Sequence, residues 1–234
     1  MINKKDIWDE KSFTFNEHGS TVLRLMAIAN EIKKTGYGKS VLDLGCGLAL
    51  LKKMLGKDFE YFGCDVSPSI VQLHTTENIK EVDLDCNSLP FTDLPFNYII
   101  CSGIIEYLAD VPKFLRDISQ SYGNERCLFL ITVVNLTNID CRFRMIMRRP
   151  PNFYPLWINF YSPHAFLNLL RKQGFNVLRY YPLYSLIARP RALSRMLCRI
   201  FPSQFGRQFL FICTSKGHRD SRRMAQTRPA CALE

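Results

Sequence analysis

The sequence predicts an α/β fold, a doubly wound and mostly parallel sheet of seven strands with helices packed on it. Three observations carry this. Short apolar segments alternate with amphipathic ones along most of the 234 residues, the pattern of successive βαβ units. Arg126 to Val134 is apolar almost without a break, as expected of a strand covered on both faces. Acidic residues stand at or beside the ends of the first three strand-like segments, at Asp43, Asp65 and Asp85. In such sheets ligands bind beyond the carboxyl ends of the strands.

Ser20 to Lys34 carries Val22, Leu25, Met26, Ala29 and Ile32 at helical spacing, and Gly36-Tyr37-Gly38 ends it. Ser40 to Leu44 reads as a strand, Gly45-Cys46-Gly47 as a turn and Leu48 to Leu55 as a helix stopped by Gly56. Phe59 to Asp65 is the second strand. Ser67 then reads as an N-cap with Pro68 at the first helical position, and the helix runs through His74. Lys80 to Asp85, Phe96 to Ser102 and Arg126 to Val134 are strands three to five, with a helix over Val111 to Ser119. Ser162-Pro163 opens a helix that Gly174 closes. Phe175 to Leu183 and Gln208 to Thr214 complete the sheet. From Lys216 onward the chain is polar, basic and aperiodic, which predicts disorder.

Composition excludes several classes. Hydrophobic residues make up 47% and charged residues 22%, as in a soluble globular protein. The polar, charged start MINKKDIWDE does not read as a signal peptide. The longest uncharged stretch, Pro150 to Leu170, holds four prolines and is no spanning helix. A cytoplasmic protein is expected. Nine cysteines form no C-x-x-C pair. Cys46, Cys64, Cys86 and Cys101 fall near strand ends, but without the spacing of a metal site.

The sharpest motif is Val41-Leu42-Asp43-Leu44-Gly45-Cys46-Gly47. Its two glycines let the backbone turn tightly and approach a ligand. A dinucleotide fingerprint would need a small residue where Leu50 stands, and no acid just ahead of the first glycine. The pattern therefore suits a cationic, phosphate-free ligand. Asp65, 22 residues after Asp43, can accept both hydroxyls of a ribose. Asp85, opening Asp85-Cys86-Asn87-Ser88-Leu89-Pro90-Phe91, can accept a bond from an adenine amino group. One such acid alone reads as a loop carboxylate; three behind a glycine turn read as a site.

On these residues the chain resembles the class I S-adenosylmethionine (SAM)-dependent methyltransferases, in the small-molecule branch marked by D-L-G-C-G, D-x-x-x-L-P-F and F-D-x-V. The resemblance covers about residues 38–135 and implies a Rossmann-like methyltransferase fold with SAM as cofactor. It implies that Asp43, Gly45, Cys46 and Gly47 cradle the methionine moiety. Asp65, with Val66 beside it, would hold the ribose. Asp85 and the Cys86 amide would read the adenine, and Ser102 would line the floor. Ala49 stands where the third glycine is usual, Asn97 replaces an acid, and Tyr107 replaces the histidine of an E-H-L segment within Gly103 to Leu108. A second, looser resemblance covers Asn135, the Arg142–Arg149 run and Tyr161-Ser162-Pro163-His164. It is to methionine-biosynthesis W-type proteins and methyltransferases of surface-polysaccharide pathways, and it implies an acceptor-side cap. The expected organisation is a helical segment over 1–37, a SAM-binding core over 38–135, cap and last two strands over 136–215, and a basic tail over 216–234.

Charge divides the chain. Residues 1–135 carry 14 Lys+Arg against 18 Asp+Glu, and residues 136–234 carry 17 against 3. Arg191, Arg195 and Arg199 recur every four residues on an amphipathic helix from about Arg191 to Phe201. That helix either packs its apolar stripe on the sheet with its arginines in water, or contacts an anionic membrane or a phosphorylated acceptor. Nucleic acid is a weaker fit, because no RNA-recognition module is present. The expected acceptor is a small molecule, glycan or lipid-linked compound with negative charge, and the protein could lie peripherally on the inner face of a membrane. The rival readings are a SAM-binding partner protein without turnover and a nucleic-acid methyltransferase. No catalytic residue is assigned. Tyr107 and His164 are candidates for a base, while His18, His74 and His218 read as surface or helix residues.

Overall fold

The structure, a computed structural model, describes residues 19–74, 78–86, 88–149, 157–185 and 191–216. His18, Asn87, His218, the side chains of Arg191 and Arg195, and the expected disordered tail beyond Lys216 lie outside the described residues.

The elements are α1 (Gly19–Thr35), β1 (Ser40–Leu44), α2 (Leu50–Leu55), β2 (Glu60–Asp65), α3 (Pro68–Gln72), β3 (Ile79–Glu81), β4 (Tyr98–Cys101), a 3-10 turn (Ile105–Tyr107), α4 (Val111–Tyr122), β5 (Leu128–Val134), α5 (Ile139–Ile146), α6 (Pro163–Lys172), β6 (Phe175–Ser185), α7 (Arg191–Ile200), α8 (Pro202–Phe205) and β7 (Gly206–Ser215). The seven strands lie in the order β3-β2-β1-β4-β5-β7-β6. Pairs from β3 to β5 are parallel, and β7 runs antiparallel to both β5 and β6. The order reverses between β1 and β4, the switch point where doubly wound sheets bind ligands. This is the α/β fold that the sequence predicts.

Alternation along the strands builds two cores. Leu42, Leu44, Ile99, Cys101 and Phe129 join one with Phe114, Leu115 and Ile118 of α4. Val41, Tyr98, Ile100, Leu128 and Leu130 join the other with Leu25, Ile28 and Ile32 of α1. Asn97 ties the start of β1 to β4, its Oδ1 accepting the Lys39 and Ser40 amides at 3.0 and 3.1 Å. A Cβ on Gly38 would meet that same oxygen at 2.0 Å.

β3, α3 and α5 differ from expectation. β3 ends at Glu81, not Asp85. Asp83 takes the backbone there, its side chain accepting from the Asp85 amide and its carbonyl from the Cys86 amide. α3 stops at Gln72, short of His74. α5, capped by Asn138 accepting the Cys141 amide, was unforeseen because its apolar side faces outward. Cys141 is buried while Ile139, Phe143 and Ile146 are exposed. α7 is present as expected, with Leu193, Met196 and Ile200 of its apolar stripe exposed and Cys198 buried. Among the described residues no helix is long and apolar enough to cross a membrane.

Candidate functional site at the carboxyl edge of the sheet

The turn after β1 is held by its neighbour. The Gly45 and Cys46 amides both donate to the Cys64 carbonyl at 2.9 Å. Gly45 has φ 76° and Gly47 φ 50°, conformations that favour glycine. Ala49 has φ 49°, so the usual third glycine is replaced by a residue that still adopts the left-handed turn, at a cost of about 1–2 kcal/mol.

Asp43, at 2% exposure, accepts a 2.7 Å hydrogen bond from the Tyr61 hydroxyl. Burial pushes its carboxyl up to about 7. The Tyr61 bond opposes this, Asp65 adds to it, and Arg24 opposes it. Asp65 is half-buried. Its Oδ2 accepts the Gly47 amide at 2.9 Å and its Oδ1 the Ser67 amide at 3.1 Å. Burial raises this carboxyl against those backbone bonds. Each oxygen keeps a further lone pair for a ligand hydroxyl. The acid thus fixes the glycine turn and still offers a bidentate face. Val66, beside it, is partly exposed.

Asp85 lies further along the same edge, its Oδ1 accepting the Ala109 amide at 2.8 Å. The Cys86 amide is used by the Asp83 turn, and Cys86 itself is exposed. Ser102 follows β4 at 7% exposure, and its buried hydroxyl has no hydrogen-bond partner among the described residues. The structure therefore gathers Asp43, Gly45, Cys46, Gly47, Asp65 and Val66 around one turn, with Asp85 and Ser102 on the same edge. The Cys46, Cys64, Cys101, Cys127 and Cys213 thiols are all pushed up by burial, which makes them poor nucleophiles. Among the described residues no three His, Cys, Asp or Glu converge as metal ligands.

Three residues join this edge that the sequence did not place at the site. Arg24 of α1 packs its guanidinium within 2.9–3.0 Å of where a Cβ on Gly103 would lie, and its charge reaches Asp43 and Glu106. The signal was a lone arginine among buried positions of an amphipathic helix. Glu106 is buried and accepts the Val134 amide at 2.7 Å, and burial raises its carboxyl. His74 is not a plain surface residue. Burial lowers its pKa, as do Lys52 and Lys53, while a bond to the Gly47 backbone and the charge of Asp65 favour its cation.

On the acceptor half, Tyr107 accepts a 2.7 Å bond from the Trp157 indole. The Ile158 and Asn159 amides both donate to the Glu106 carbonyl, so residues 157–161 strap the 3-10 turn after β4. His164 is exposed on the first turn of α6, behind the Ser162 cap.

Buried acids, a ribose-competent carboxylate, a glycine turn and an orphan serine hydroxyl suit a cationic nucleoside such as SAM. Residues 14–180 match the family described as a methyltransferase domain. The chain belongs to this methyltransferase-domain family. The methyltransferase is 24% identical over 203 residues to the human mitochondrial ubiquinone biosynthesis O-methyltransferase, covering 73% of this chain and 53% of that protein. It thus spans about half the length of that relative. Its fold is similar to a SAM-dependent methyltransferase of Thermotoga maritima, with TM-score 0.61 and 14% identity over 90% of this chain and 99% of that one. It is also similar to a Haloferax volcanii structure of a methyltransferase in complex with the Trm112 methyltransferase activator. That match has TM-score 0.59 and 19% identity over 92% of this chain and 99% of that one.

Proposed function

We propose that the methyltransferase transfers the methyl group of SAM to a small-molecule acceptor, a glycan or lipid-linked compound carrying negative charge. The observation that carries the cofactor half is Asp65, which holds the glycine turn through the Gly47 amide and keeps lone pairs for the ribose. SAM supplies an activated methyl on a sulfonium. The chain's own part is to hold it, align a nucleophile behind it and keep water out.

In this reading Asp43, Gly45, Cys46 and Gly47 receive the methionine end, with Arg24 offering a cation to its carboxylate. Asp65 and Val66 hold the ribose, Asp85 and Cys86 the adenine, and Ser102 floors the site. Residues 38–135 are then the cofactor core and 136–215 the acceptor side with the last strands. The name of the human relative supports a small-molecule oxygen acceptor. The excess of 17 Lys+Arg over 3 Asp+Glu in residues 136–234 supports an anionic one. Arg191, Arg195 and Arg199 are proposed to touch an anionic membrane on its cytoplasmic side. The exposure of Leu193, Met196 and Ile200 beside Arg199 supports this.

Incubation with methyl-labelled SAM and cell extract, followed by mass spectrometry, tests the reading. Label in a small or lipid-linked acidic product is expected. Label confined to nucleic acid would overturn the acceptor class. SAM binding without any transfer would point to a partner protein, a reading that the activator complex of the Haloferax neighbour keeps in view.

A further inference from the structure

We infer that α5, together with the 157–161 strap, is a docking face for an anionic lipid bilayer. α5 has the opposite orientation from an ordinary surface helix. Cys141 is its buried anchor, and Ile139, Phe143, Ile146 and Met147 are exposed at 47, 62, 77 and 52%. Their spacing of four, three and one places them on one contiguous stripe of the helix. Arg142 flanks the stripe on one side, and Arg148 and Arg149 follow it, all three exposed. The one acid of the helix, Asp140, is held by Arg144 at 3.2 Å.

The strap adds to this face. Trp157, Asn159 and Tyr161 turn inward, bonding Tyr107, bonding Leu108 and packing on the core, so Ile158 and Phe160 turn outward at 60 and 44% exposure. The Tyr161 carbonyl accepts the Leu136 amide, and Asn135 bridges Tyr161, so the strap runs beside the root of α5. The strap bonds Glu106 after β4 and Asn135 after β5, and α5 follows β5, so both lie at the carboxyl edge that bears Ser102.

The chemistry selects the partner. Five large apolar side chains in water, Ile139, Phe143, Ile146, Met147 and Ile158, are unusual on a soluble surface and serve no purpose against a phosphate backbone. A two-fold contact with a second copy would set the arginines of each chain against those of the other. A bilayer with anionic headgroups satisfies both parts, because the apolar stripe enters the acyl boundary and the arginines meet phosphate. Docking there would turn the acceptor side toward the lipid. The surface rests on the proposed lipid-linked acceptor only for its purpose, because lipid binding can be measured without methyl transfer.

The test is flotation of the full chain with vesicles of phosphatidylcholine alone or with one-third phosphatidylglycerol. Binding to the anionic vesicles is expected, with at least tenfold weaker partitioning for Phe143→Glu with Ile146→Glu, at unchanged SAM affinity. Phe143→Ser alone, a milder change at an exposed position, is expected to weaken partitioning severalfold should the double variant fold poorly. Wild-type binding by these variants overturns the inference, even if the arginines of α7 prove necessary. Absence of vesicle binding by the wild type also overturns it, as does a concentration-dependent dimer that the double variant abolishes in the absence of lipid. Loss of methyl transfer alone would bear on the acceptor reading and leave the lipid result standing.

Discussion

At the scale of single residues, Asp65 is proposed to do two jobs. It anchors the Gly47 and Ser67 amides and keeps further lone pairs for the proposed ribose contact. Charge-assisted bonds contribute about 1.5–3 kcal/mol each. Asp65→Ala is therefore expected to weaken SAM binding at least tenfold in isothermal titration, with a smaller loss for Asp85→Ala. Asp43 carries a pH dependence. Its carboxyl sits at about 7 in the folded chain against 3.8 unfolded, chiefly through burial. A raised acid favours folding below about pH 4 and loses that contribution as pH climbs to 7, on the order of 4 kcal/mol at full effect. Urea denaturation of wild type against Asp43→Asn should show this as a falling stability difference over pH 4–7. A sulfonium bound nearby favours the ionised acid. SAM binding near pH 7 should then release a proton, seen as a buffer-dependent heat that Asp43→Asn abolishes. The acids were legible in the sequence because backbone geometry places strand ends together. Arg24 and His74 were not: Arg24 reaches the site from a helix whose rotation about the sheet depends on packing, and His74 from the chain just past the end of α3.

At the scale of elements, the joint between α1 and β6 ties the first described helix to the edge strand of the sheet. Glu31 of α1 pairs with Arg179 and accepts the Tyr181 hydroxyl at 2.6 Å, across nearly 150 residues of sequence. Both charged side chains are mostly buried, at 17 and 13% exposure for Arg179 and Glu31. Glu31→Ala should lower stability by roughly 2–3 kcal/mol, read as an earlier urea midpoint. Strands were the most legible elements, since an apolar run such as Leu128 to Val134 has few alternatives. α5 was illegible for a physical reason. Pattern reading assumes that apolar residues go inward, and in this helix Phe143 and Ile146 go outward. β3 was overread because Asp83 diverts the backbone into a turn before Asp85.

At the scale of the molecule, SAM binds the folded chain, so it should act as a stabiliser. Ligand at a hundred times its Kd adds about 2.7 kcal/mol. For a chain of this size that corresponds to roughly 5–10 °C in a thermal-shift assay. Replacing Arg191, Arg195 and Arg199 by glutamine should leave that shift intact, since Asp43 and Asp65 sit on β1 and β2 and Asp85 in the turn after β3. Equal shifts in wild type and triple variant are the expected result, and a lost shift would mean that α7 supports the cofactor site.

The antiparallel β7 has a further consequence. Because β6 and β7 pair directly, with Ser185 opposite Gly206, their ends meet at the carboxyl edge of the sheet, where the start of β7 lies beside the end of β5. Everything between those two residues, α7 and α8 included, hangs from one closed gap. Such a gap can lengthen, shorten or change sequence without shifting the register of any strand. The parallel crossovers that build the SAM half have no such freedom, because each must span the sheet at a fixed length. With the proposed acceptor side in 136–215 and cofactor core in 38–135, acceptor choice can drift by exchange of one insert while the cofactor core stays fixed. A chimera carrying another methyltransferase's β6–β7 insert should keep SAM binding and change only what is methylated.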